Sequence, residues 1–278
     1  MKQCSTGSER VSTALLLAAG TGSRLYPLTE NAPKCLTLVN GVSILERLVD
    51  SLQLHGFKRL IVVTGFMASH IRNFLQDQVG DIKIEYVFSP LYETTNNIFS
   101  LWMARKCINE PFLLLESDLV FDESLLEDML YPDSIAVASL QPWMNGTCVT
   151  IGDDQRVKSF LTGGKSAHGP SKYKTVNIYG ISRSSWHRIE TQLDKRIAHG
   201  QVQDYYEVVF ADMVASGDLS FDTVSFDHKP WYEIDTIDDL ANAEQIFISA
   251  SYELAKKARQ HSIEGRPLRP AELLNATT

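Results

Sequence analysis

The stretch Leu15-Leu-Leu-Ala-Ala-Gly20-Thr-Gly22-Ser-Arg24 joins an apolar run to a loop of small residues. The run from Ala14 to Ala18 predicts a buried β-strand. Open α/β sheets bind ligands at the carboxyl ends of such strands, where small residues let backbone N–H groups approach phosphate oxygens. We therefore predict a phosphate-binding loop of Ala18, Ala19, Gly20, Thr21, Gly22 and Ser23. The glycine pattern alone favours a tight turn without a ligand.

The alternation of short apolar runs with amphipathic segments continues outward from this loop, and it is typical of βαβ units. In the first half we predict strands at 14–18, 59–64, 82–88 and 112–116, and helices at 44–54, 68–76 and 97–107. After residue 134 we predict shorter, more polar strands at 135–140, 147–151, 157–161 and 174–179. Two helices (184–198 and 205–216), a strand (221–226) and a long helix (237–260) follow.

These elements predict an α/β fold with a doubly wound, mainly parallel mixed sheet of Rossmann-like type, an inserted antiparallel patch and a C-terminal helix. We expect a single domain over 13–250, with halves at 13–133 and 134–235. Residues 251–278 are predicted to be a helix extension and tail.

Composition narrows the class of partner. The chain has 278 residues and a formal net charge of −8, which argues against a broad binding surface for nucleic acid or for an anionic membrane. No apolar run approaches the roughly 20 residues that span a bilayer, and the N-terminus lacks a signal core, so we expect a cytoplasmic protein. The four cysteines form no C-x-x-C pair, which indicates neither a disulfide framework nor a zinc site.

A second basic residue follows the loop, in Pro27-Leu-Thr-Glu-Asn-Ala-Pro33-Lys34. The combined pattern L-A-A-G-x-G-x-R, P-L-T and P-K resembles the signature of the sugar-phosphate nucleotidyltransferase superfamily. The resemblance implies that the loop wraps a nucleotide triphosphate and that Arg24 and Lys34 neutralise the reacting phosphates. From the residues alone, Lys34 could instead be a solvated lysine in a surface loop without a functional role.

Two aspartates stand where strands end. Asp118 follows the apolar run Phe112 to Leu115, and Asp235 closes Trp231-Tyr-Glu-Ile-Asp235 before the last predicted helix. Attack of an anionic acceptor on an α-phosphate calls for a cation held by carboxylates. The resemblance implies that Asp118 and Asp235 coordinate Mg²⁺. From the residues alone, Asp235 could instead be the N-cap of that helix.

The branch of the family is indicated by Tyr92-Glu-Thr-Thr-Asn96-Asn97-Ile-Phe-Ser100-Leu and by the tryptophan motif that ends at Asp235. Both resemble the phosphocholine cytidylyltransferase branch, and the sugar-nucleotide motifs Q-x-x-P-x-G-x-A and W-x-D-x-G-T do not occur. The resemblance places Asn96, Asn97 and Ser100 beside the nucleotide. The nucleotide is then expected in the half 13–133 and the acceptor in the half 134–235.

The acceptor is indicated by Gly146-Thr-Cys-Val-Thr and Tyr173-Lys174-Thr-Val-Asn177-Ile-Tyr179, which are similar to cytidylyltransferases that activate phosphonates such as 2-aminoethylphosphonate. A lysine in an apolar strand either extends to solvent or pairs with an anion, and both readings stay open. Aromatic faces could hold an organic cation, although aromatics in such strands are more often core. The predicted acceptor residues are Trp143, Tyr173, Lys174, Asn177, Tyr179, Trp231 and Glu233.

Together these features predict a magnesium-dependent cytidylyltransferase that moves CMP from CTP to a small phosphonate or phosphate, with 2-aminoethylphosphonate as the first choice. Phosphocholine and a sugar 1-phosphate are the alternative acceptors. The alternative to an enzyme is a nucleotide-binding or regulatory domain without catalytic activity, because a fold alone does not establish catalysis. The sequence leaves both a homo-oligomer and a fusion partner domain open.

Overall fold

The computed structural model describes residues 10–142, 144–161 and 172–247. In this part of the chain the α-helices are α1 (Ile44–Leu54), α2 (Ala68–Leu75), α3 (Asn97–Ala104), α4 (Arg183–Ala198), α5 (Glu207–Ser216) and α6 (Ile237–Ile246). The strands are β1 (Thr13–Ala18), β2 (Leu38–Val39), β3 (Val42–Ser43), β4 (Arg59–Thr64), β5 (Gln78–Val79), β6 (Ile82–Phe88), β7 (Phe112–Glu116), β8 (Leu119–Phe121), β9 (Ser134–Ser139), β10 (Cys148–Ile151), β11 (Val157–Leu161), β12 (Lys172–Ile181), β13 (Asp222–Ser225) and β14 (Trp231–Glu233).

One ten-stranded sheet runs through the molecule in the order β11-β10-β12-β7-β1-β4-β6-β5; in addition, β9 pairs with β12, and β13 pairs with β9. Strands β7, β1, β4 and β6 are parallel, whereas β12 is antiparallel to β7 and β10. This is the predicted fold class, a mainly parallel first half followed by an antiparallel patch. The chain divisions at 133 and 250 stay predictions.

Strand β1 shows why both faces of the sheet carry helices. Its residues are all buried, and their side chains alternate between two cores. Ala14, Leu16 and Ala18 pack in the core that includes α1 and α2. Leu15 and Leu17 pack in the core that includes α3, α4 and α5. A strand buried on both faces reads as the continuous apolar run seen in the sequence.

Helix boundaries follow local capping. Helix α1 begins where predicted because the Ser43 hydroxyl accepts a hydrogen bond from the Glu46 N–H. Helix α3 ends at Ala104, three residues before the predicted end, and tightens into a 3₁₀ turn over Arg105–Cys107. Helix α5 begins at Glu207, two residues later than predicted, and the N–H of Tyr206 bonds to the Asn97 side chain.

The last helix is shorter in the described residues than predicted. Helix α6 spans Ile237–Ile246, and the predicted continuation to residue 260 lies outside the described residues. The same holds for the predicted tail. Within the described ranges no helix is both long and apolar enough to cross a membrane.

Strand β12 joins the two halves of the sheet. It is antiparallel to β7, which belongs to the parallel half of the sheet. It is also antiparallel to β9 and β10, which belong to the other half. Its pairing with β9 shifts register between Thr175 and Tyr179, and Asn177 in this interval has a positive φ of 59°. This β-bulge redirects the strand beside the functional edge.

Candidate active site

The four residues predicted to be catalytic come together at the carboxyl edge of the parallel strands. Lys34 Nζ lies 2.7 Å from Asp118 Oδ2 and 2.6 Å from Asp235 Oδ1. Arg24 Nη2 lies 2.8 Å from the same Asp235 oxygen. The lysine and both aspartates are mostly buried, whereas 64% of the Arg24 side chain is exposed. We call Arg24, Lys34, Asp118 and Asp235 the charged cluster.

The loop after β1 brings Lys34 to this position through a close backbone contact. Gly22 has a φ of 63°, and a Cβ there would lie 2.9 Å from the Lys34 Cβ. Thr29 donates a hydrogen bond to the Gly22 carbonyl at 3.0 Å. A glycine is therefore required for both the left-handed conformation and the approach of Lys34.

Opposing effects act on the Lys34 ammonium. Burial lowers its pKa, but the charges of Asp118 and Asp235 and their hydrogen bonds outweigh burial and hold the pKa above its usual value. The lysine is therefore a permanent cation at neutral pH. It is placed where it can neutralise either a carboxylate or a phosphate oxygen.

Asp118 and Asp235 fit a divalent cation. Both reach the same Lys34 Nζ, so their carboxylates share one small volume, and the buried Asp118 Oδ1 has no hydrogen-bond partner among the described residues. The described ranges contain no group of three or more metal-ligating side chains. Two carboxylates suit Mg²⁺, which keeps water and substrate phosphate oxygens as its other ligands.

Asp235 is not the N-cap of α6. That position belongs to Thr236, whose side chain accepts from the Asp239 N–H while Asp239 accepts from the Thr236 N–H. This capping box leaves the Asp235 carboxylate directed at Lys34 and Arg24. The structural alternative for Asp235 is therefore wrong.

Six of the residues predicted to bind the nucleotide follow one another at the end of β1. Ala18 and Ala19 are buried, Gly20 and Ser23 are exposed, and Thr21 and Gly22 are half-buried. These six residues form one continuous loop beside Lys34. Its contact with a nucleotide stays a prediction.

Asn96, Asn97 and Ser100 have structural partners of their own. The Asn96 side chain accepts from the Asn97 N–H and caps α3. Asn97 donates to Glu116 Oε1 at 3.1 Å and accepts from the Tyr206 N–H at 3.0 Å. Ser100 is buried within α3. Their place beside the nucleotide stays a prediction, and Asn97 links α3, β7 and α5.

A small pocket adjoins the charged cluster and contains three of the predicted acceptor residues. The pocket measures about 20 Å³ and is lined by Met144, Asn145, Lys174, Trp231, Glu233, Asp235 and Asp239. Because Asp235 belongs to both, the pocket and the charged cluster are contiguous. A larger cleft of about 790 Å³, which includes Asn109 and Arg183, lies near the amino end of β7 and away from this chemistry.

Lys174 is paired with an anion inside this pocket, not extended to solvent. Only 2% of its side chain is exposed, and its Nζ lies 3.0 Å from Glu233 Oε2. Glu233 Oε1 accepts a hydrogen bond from Asn177 at 3.2 Å. Burial raises the pKa of Glu233, an effect that the Lys174 charge opposes. The pocket thus contains one buried cation, Lys174, whose ion-pair partner is Glu233, and the Asp235 and Asp239 carboxylates line it as well.

The predicted aromatic residues do not gather at the pocket. Tyr179 is fully buried, with its ring 5.2 Å from that of Phe210 and 5.8 Å from that of Tyr206. Tyr173, on the same face of β12, packs against that core as well. Tyr179 as an acceptor-binding residue is therefore corrected to a core residue, and Trp143 lies outside the described residues. Trp231 alone of the described aromatic predictions lines the pocket.

Two further residues are shielded or already paired. The Cys35 thiol, next to Lys34 in sequence, is buried, and burial raises its pKa to about 12. Asp204 is paired with Arg196 at 3.0 Å.

Sequence reasoning missed two carboxylates near the pocket, the buried Glu207 and the half-buried Glu116. Burial raises the pKa of Glu207 to about 7, and it raises the pKa of Glu116 well above its ordinary value, helped by the charges of Asp118 and Glu207. Glu116 could have been noticed from the sequence, because it lies two residues before Asp118 at the end of an apolar strand. Nothing local marked Glu207, because its environment comes from β12 and α3.

Comparison with known proteins agrees with this geometry. Residues 13–139 match the family model described as Nucleotidyl transferase. The CMP-5'-(3-aminopropyl)phosphonate synthase of Streptomyces rubellomurinus is 31% identical over 241 residues, which are 83% of this chain and 38% of that protein. The chain therefore spans less than half the length of this relative.

Two further similarities extend over most of the chain. The choline-phosphate cytidylyltransferase of Streptococcus pneumoniae is 25% identical over 84% of this chain and 97% of that protein. The solved structure of CTP:phosphocholine cytidylyltransferase from Streptococcus pneumoniae has a TM-score of 0.74 at 23% identity, covering 86% of this chain and 99% of that one, which is a likeness of fold. Residues 13–139 of the chain thus match the Nucleotidyl transferase family, and the fold over most of the chain is like that of this solved structure.

Proposed function

We propose that this protein is a cytidylyltransferase that transfers CMP from CTP to a small phosphonate, with 2-aminoethylphosphonate as the first choice. The observation that carries the proposal is the buried Lys174–Glu233 pair, which shares a pocket with Asp235 of the charged cluster. The named relatives that cover most of this chain act, by their names, in CMP-phosphonate and CDP-choline chemistry.

The proposed reaction is a direct displacement at phosphorus. An acceptor phosphonate oxygen attacks the α-phosphorus of CTP, the bond from that phosphorus to the bridging oxygen of the β-phosphate breaks, and pyrophosphate leaves with the electron pair. The loop at 18–23 would hold the triphosphate through backbone N–H groups. Arg24 and Lys34 would neutralise phosphate oxygens as charge moves to the leaving group.

Asp118 and Asp235 would hold Mg²⁺ between the two substrates. When bound, the ion supplies charge neutralisation and alignment of the reacting oxygens. Lys34 bonds to both aspartates, so the same three side chains can orient the nucleotide once phosphate oxygens enter the cluster. Acceleration would then arise from positioning and charge, without a covalent enzyme intermediate.

The charges in the pocket favour an acceptor that is itself a zwitterion. Lys174 offers a cation to a phosphonate dianion, and Glu233 offers a carboxylate to a primary ammonium that can donate hydrogen bonds. A trimethylammonium group has no N–H and prefers aromatic faces. Among the described residues the pocket has one aromatic side chain, Trp231, so we expect phosphocholine to be the poorer acceptor.

Phosphocholine is the second candidate, favoured by Trp231 and by the choline-phosphate relative. A sugar 1-phosphate is the third. Its phosphate could pair with Lys174, but it has no ammonium for Glu233. The order of acceptors expected from the pocket is therefore aminoalkylphosphonate, then phosphocholine, then sugar 1-phosphate.

The test is pyrophosphate release with purified protein and Mg²⁺, using CTP, UTP, GTP and ATP against 2-aminoethylphosphonate, 3-aminopropylphosphonate, phosphocholine and glucose 1-phosphate. We expect CTP with an aminoalkylphosphonate to have the highest kcat/KM. A better value for phosphocholine would overturn the phosphonate assignment. Tight CTP binding without pyrophosphate release from any acceptor would favour a binding domain without activity.

A further inference from the structure

Asn177 interrupts the central strand β12 with an unusual backbone. Its φ of 59° falls in the left-handed region, and the pairing with β9 shifts register around it. This conformation costs about 1–2 kcal/mol for most residues, and asparagine is among those that tolerate it. The residue is 9% exposed, so the bulge lies inside the protein, beside the acceptor pocket.

The bulge directs the Asn177 side chain at Glu233. Its Nδ2 donates to Glu233 Oε1 at 3.2 Å, and its Oδ1 lies 3.0 Å from the Thr175 hydroxyl. The Thr175 hydroxyl also lies 3.0 Å from the Thr147 carbonyl, and its single proton can be donated to only one of these two oxygens. The amide is therefore held at its Nδ2 end, by Glu233.

Glu233 divides its two oxygens between two partners. Oε1 accepts from Asn177 and Oε2 pairs with Lys174. The Lys174 ammonium also donates to the Thr175 carbonyl at 2.9 Å, and a Cβ at Gly146 would lie 3.3 Å from it. A carboxylate held at one oxygen has a defined direction for the other. Asn177 is thus bonded to the Glu233 oxygen that does not pair with Lys174.

We propose that Asn177 is a positioning residue for the acceptor: its left-handed backbone at the bulge of β12 orients Glu233, and through Glu233 it fixes the Lys174 ammonium at the pocket. The chemical class of the acceptor, a zwitterion with an anionic phosphonate and an ammonium, rests on the proposed function. The positioning itself rests on the hydrogen bonds of the pocket alone.

The main test is Asn177→Gly, which keeps the left-handed backbone and removes the amide. The matched control is Asn40→Gly. Asn40 also has a positive φ, 51°, and its side chain donates to the Glu244 and Phe247 carbonyls, outside the pocket. We expect Asn177→Gly to lower kcat/KM for the acceptor at least tenfold, with the KM for CTP changed less than twofold. Asn40→Gly should leave both within about twofold.

Asn177→Asp is the second variant, since aspartate keeps the shape and tolerates the backbone but has no N–H for Glu233. We expect it to lower acceptor kcat/KM at least as much as Asn177→Gly. Equal kinetics for both Asn177 variants and the wild type would overturn the proposal. So would an equal loss in Asn40→Gly, or a loss confined to the KM for CTP.

A readout that needs no acceptor separates this proposal from the proposed function. The buried Lys174 ammonium should give a slowly exchanging ¹⁵Nζ–H signal in NMR, identified by its disappearance in Lys174→Met. We expect the signal to shift or broaden in Asn177→Gly and to persist in Asn40→Gly. An unchanged signal in Asn177→Gly refutes the positioning role, whereas the absence of turnover in wild type with every acceptor refutes the function.

Discussion

Two lysines meet carboxylates at the functional edge, in contrasting ways. Lys34 bonds to two aspartates from distant parts of the chain, and the exposed Arg24 joins them. Lys174 bonds to one glutamate and is closed off from solvent. We call the first arrangement, which includes the exposed Arg24, the open side, and the second, which is buried and bonded to Asn177, the closed side. The contrast predicts that the open side changes partners during turnover and that the closed side is preformed.

The largest effect is expected on the open side. Asp118→Asn and Asp235→Asn should each lower kcat about a hundredfold or more, because each removes a negative charge from the proposed metal site. Pyrophosphate release measures the rate, and circular dichroism should show an intact fold. Asp81→Asn, at an exposed carboxylate paired with Lys58, is the control with normal kcat. Normal turnover in both site variants would remove the metal assignment.

Substitutions of the two lysines should affect the kinetics of different substrates. Lys174→Met is expected to lower kcat/KM for the acceptor on the order of a hundredfold while the KM for CTP stays within about twofold, because the loss of a required partner is strongly selective. Lys34→Met should lower kcat and weaken CTP instead. Steady-state kinetics with each substrate varied in turn gives both values. If Lys174→Met weakened CTP alone, the lysine would belong to the nucleotide side.

The pH dependence of protein stability tests the burial of Glu207, whose carboxylate is influenced by the Lys174 charge of the closed side. The rise of its pKa from 4.5 to about 7 means that, between these pH values, the folded state keeps a proton that the unfolded state releases. Stability therefore falls as pH rises through this window. Urea unfolding should show wild type losing about 2 kcal/mol relative to Glu207→Gln between pH 5 and pH 8. The exposed Glu30→Gln should track wild type, and a parallel pH profile for Glu207→Gln would contradict the buried titration.

Gly22 tests the loop of the open side. Gly22→Ala should raise the KM for CTP several-fold, because the added Cβ would displace Lys34. Gly56→Ala is the matched control, with a φ of 75° and no atom within 4 Å of the added Cβ. Both variants should lose about 1 kcal/mol of stability from the backbone alone. Equal CTP kinetics in the two variants would show that the Gly22 contact is dispensable.

The smallest effect is expected at Cys35. Because burial raises its pKa to about 12, iodoacetamide at neutral pH should label Cys35 more slowly than the half-buried Cys107. CTP should change the Cys35 rate little, since the thiol is already shielded. Mass spectrometry of the alkylated peptides measures both rates. Fast labelling of Cys35 would show that the loop after Gly22 opens in solution.

Local patterns predicted most of the fold. The apolar run before Gly20 and the start of α1 at Ile44 were correct, because a strand buried on both faces and a Ser43 cap are properties of neighbouring residues. Boundaries shifted where a distant residue intervened, as when Asn97 received the N–H of Tyr206. In the candidate site, the motif residues Arg24 and Lys34 were named from sequence, and their partners Asp118 and Asp235 from strand ends.

The sequence by itself determined the order of the longer strands and helices, the glycine loop and the identity of the charged residues, because these depend on short-range periodicity and motif spacing. The two- and three-residue strands β2, β3, β5, β8 and β14 were not predicted. Only the tertiary structure decided which charges meet. It brought Lys34 to two aspartates, and it paired Lys174 with Glu233 instead of solvent. It also sent Tyr179 into the core. The physical reason is that burial and charge pairing act between residues distant in sequence, where the fold alone sets distance and solvent exposure.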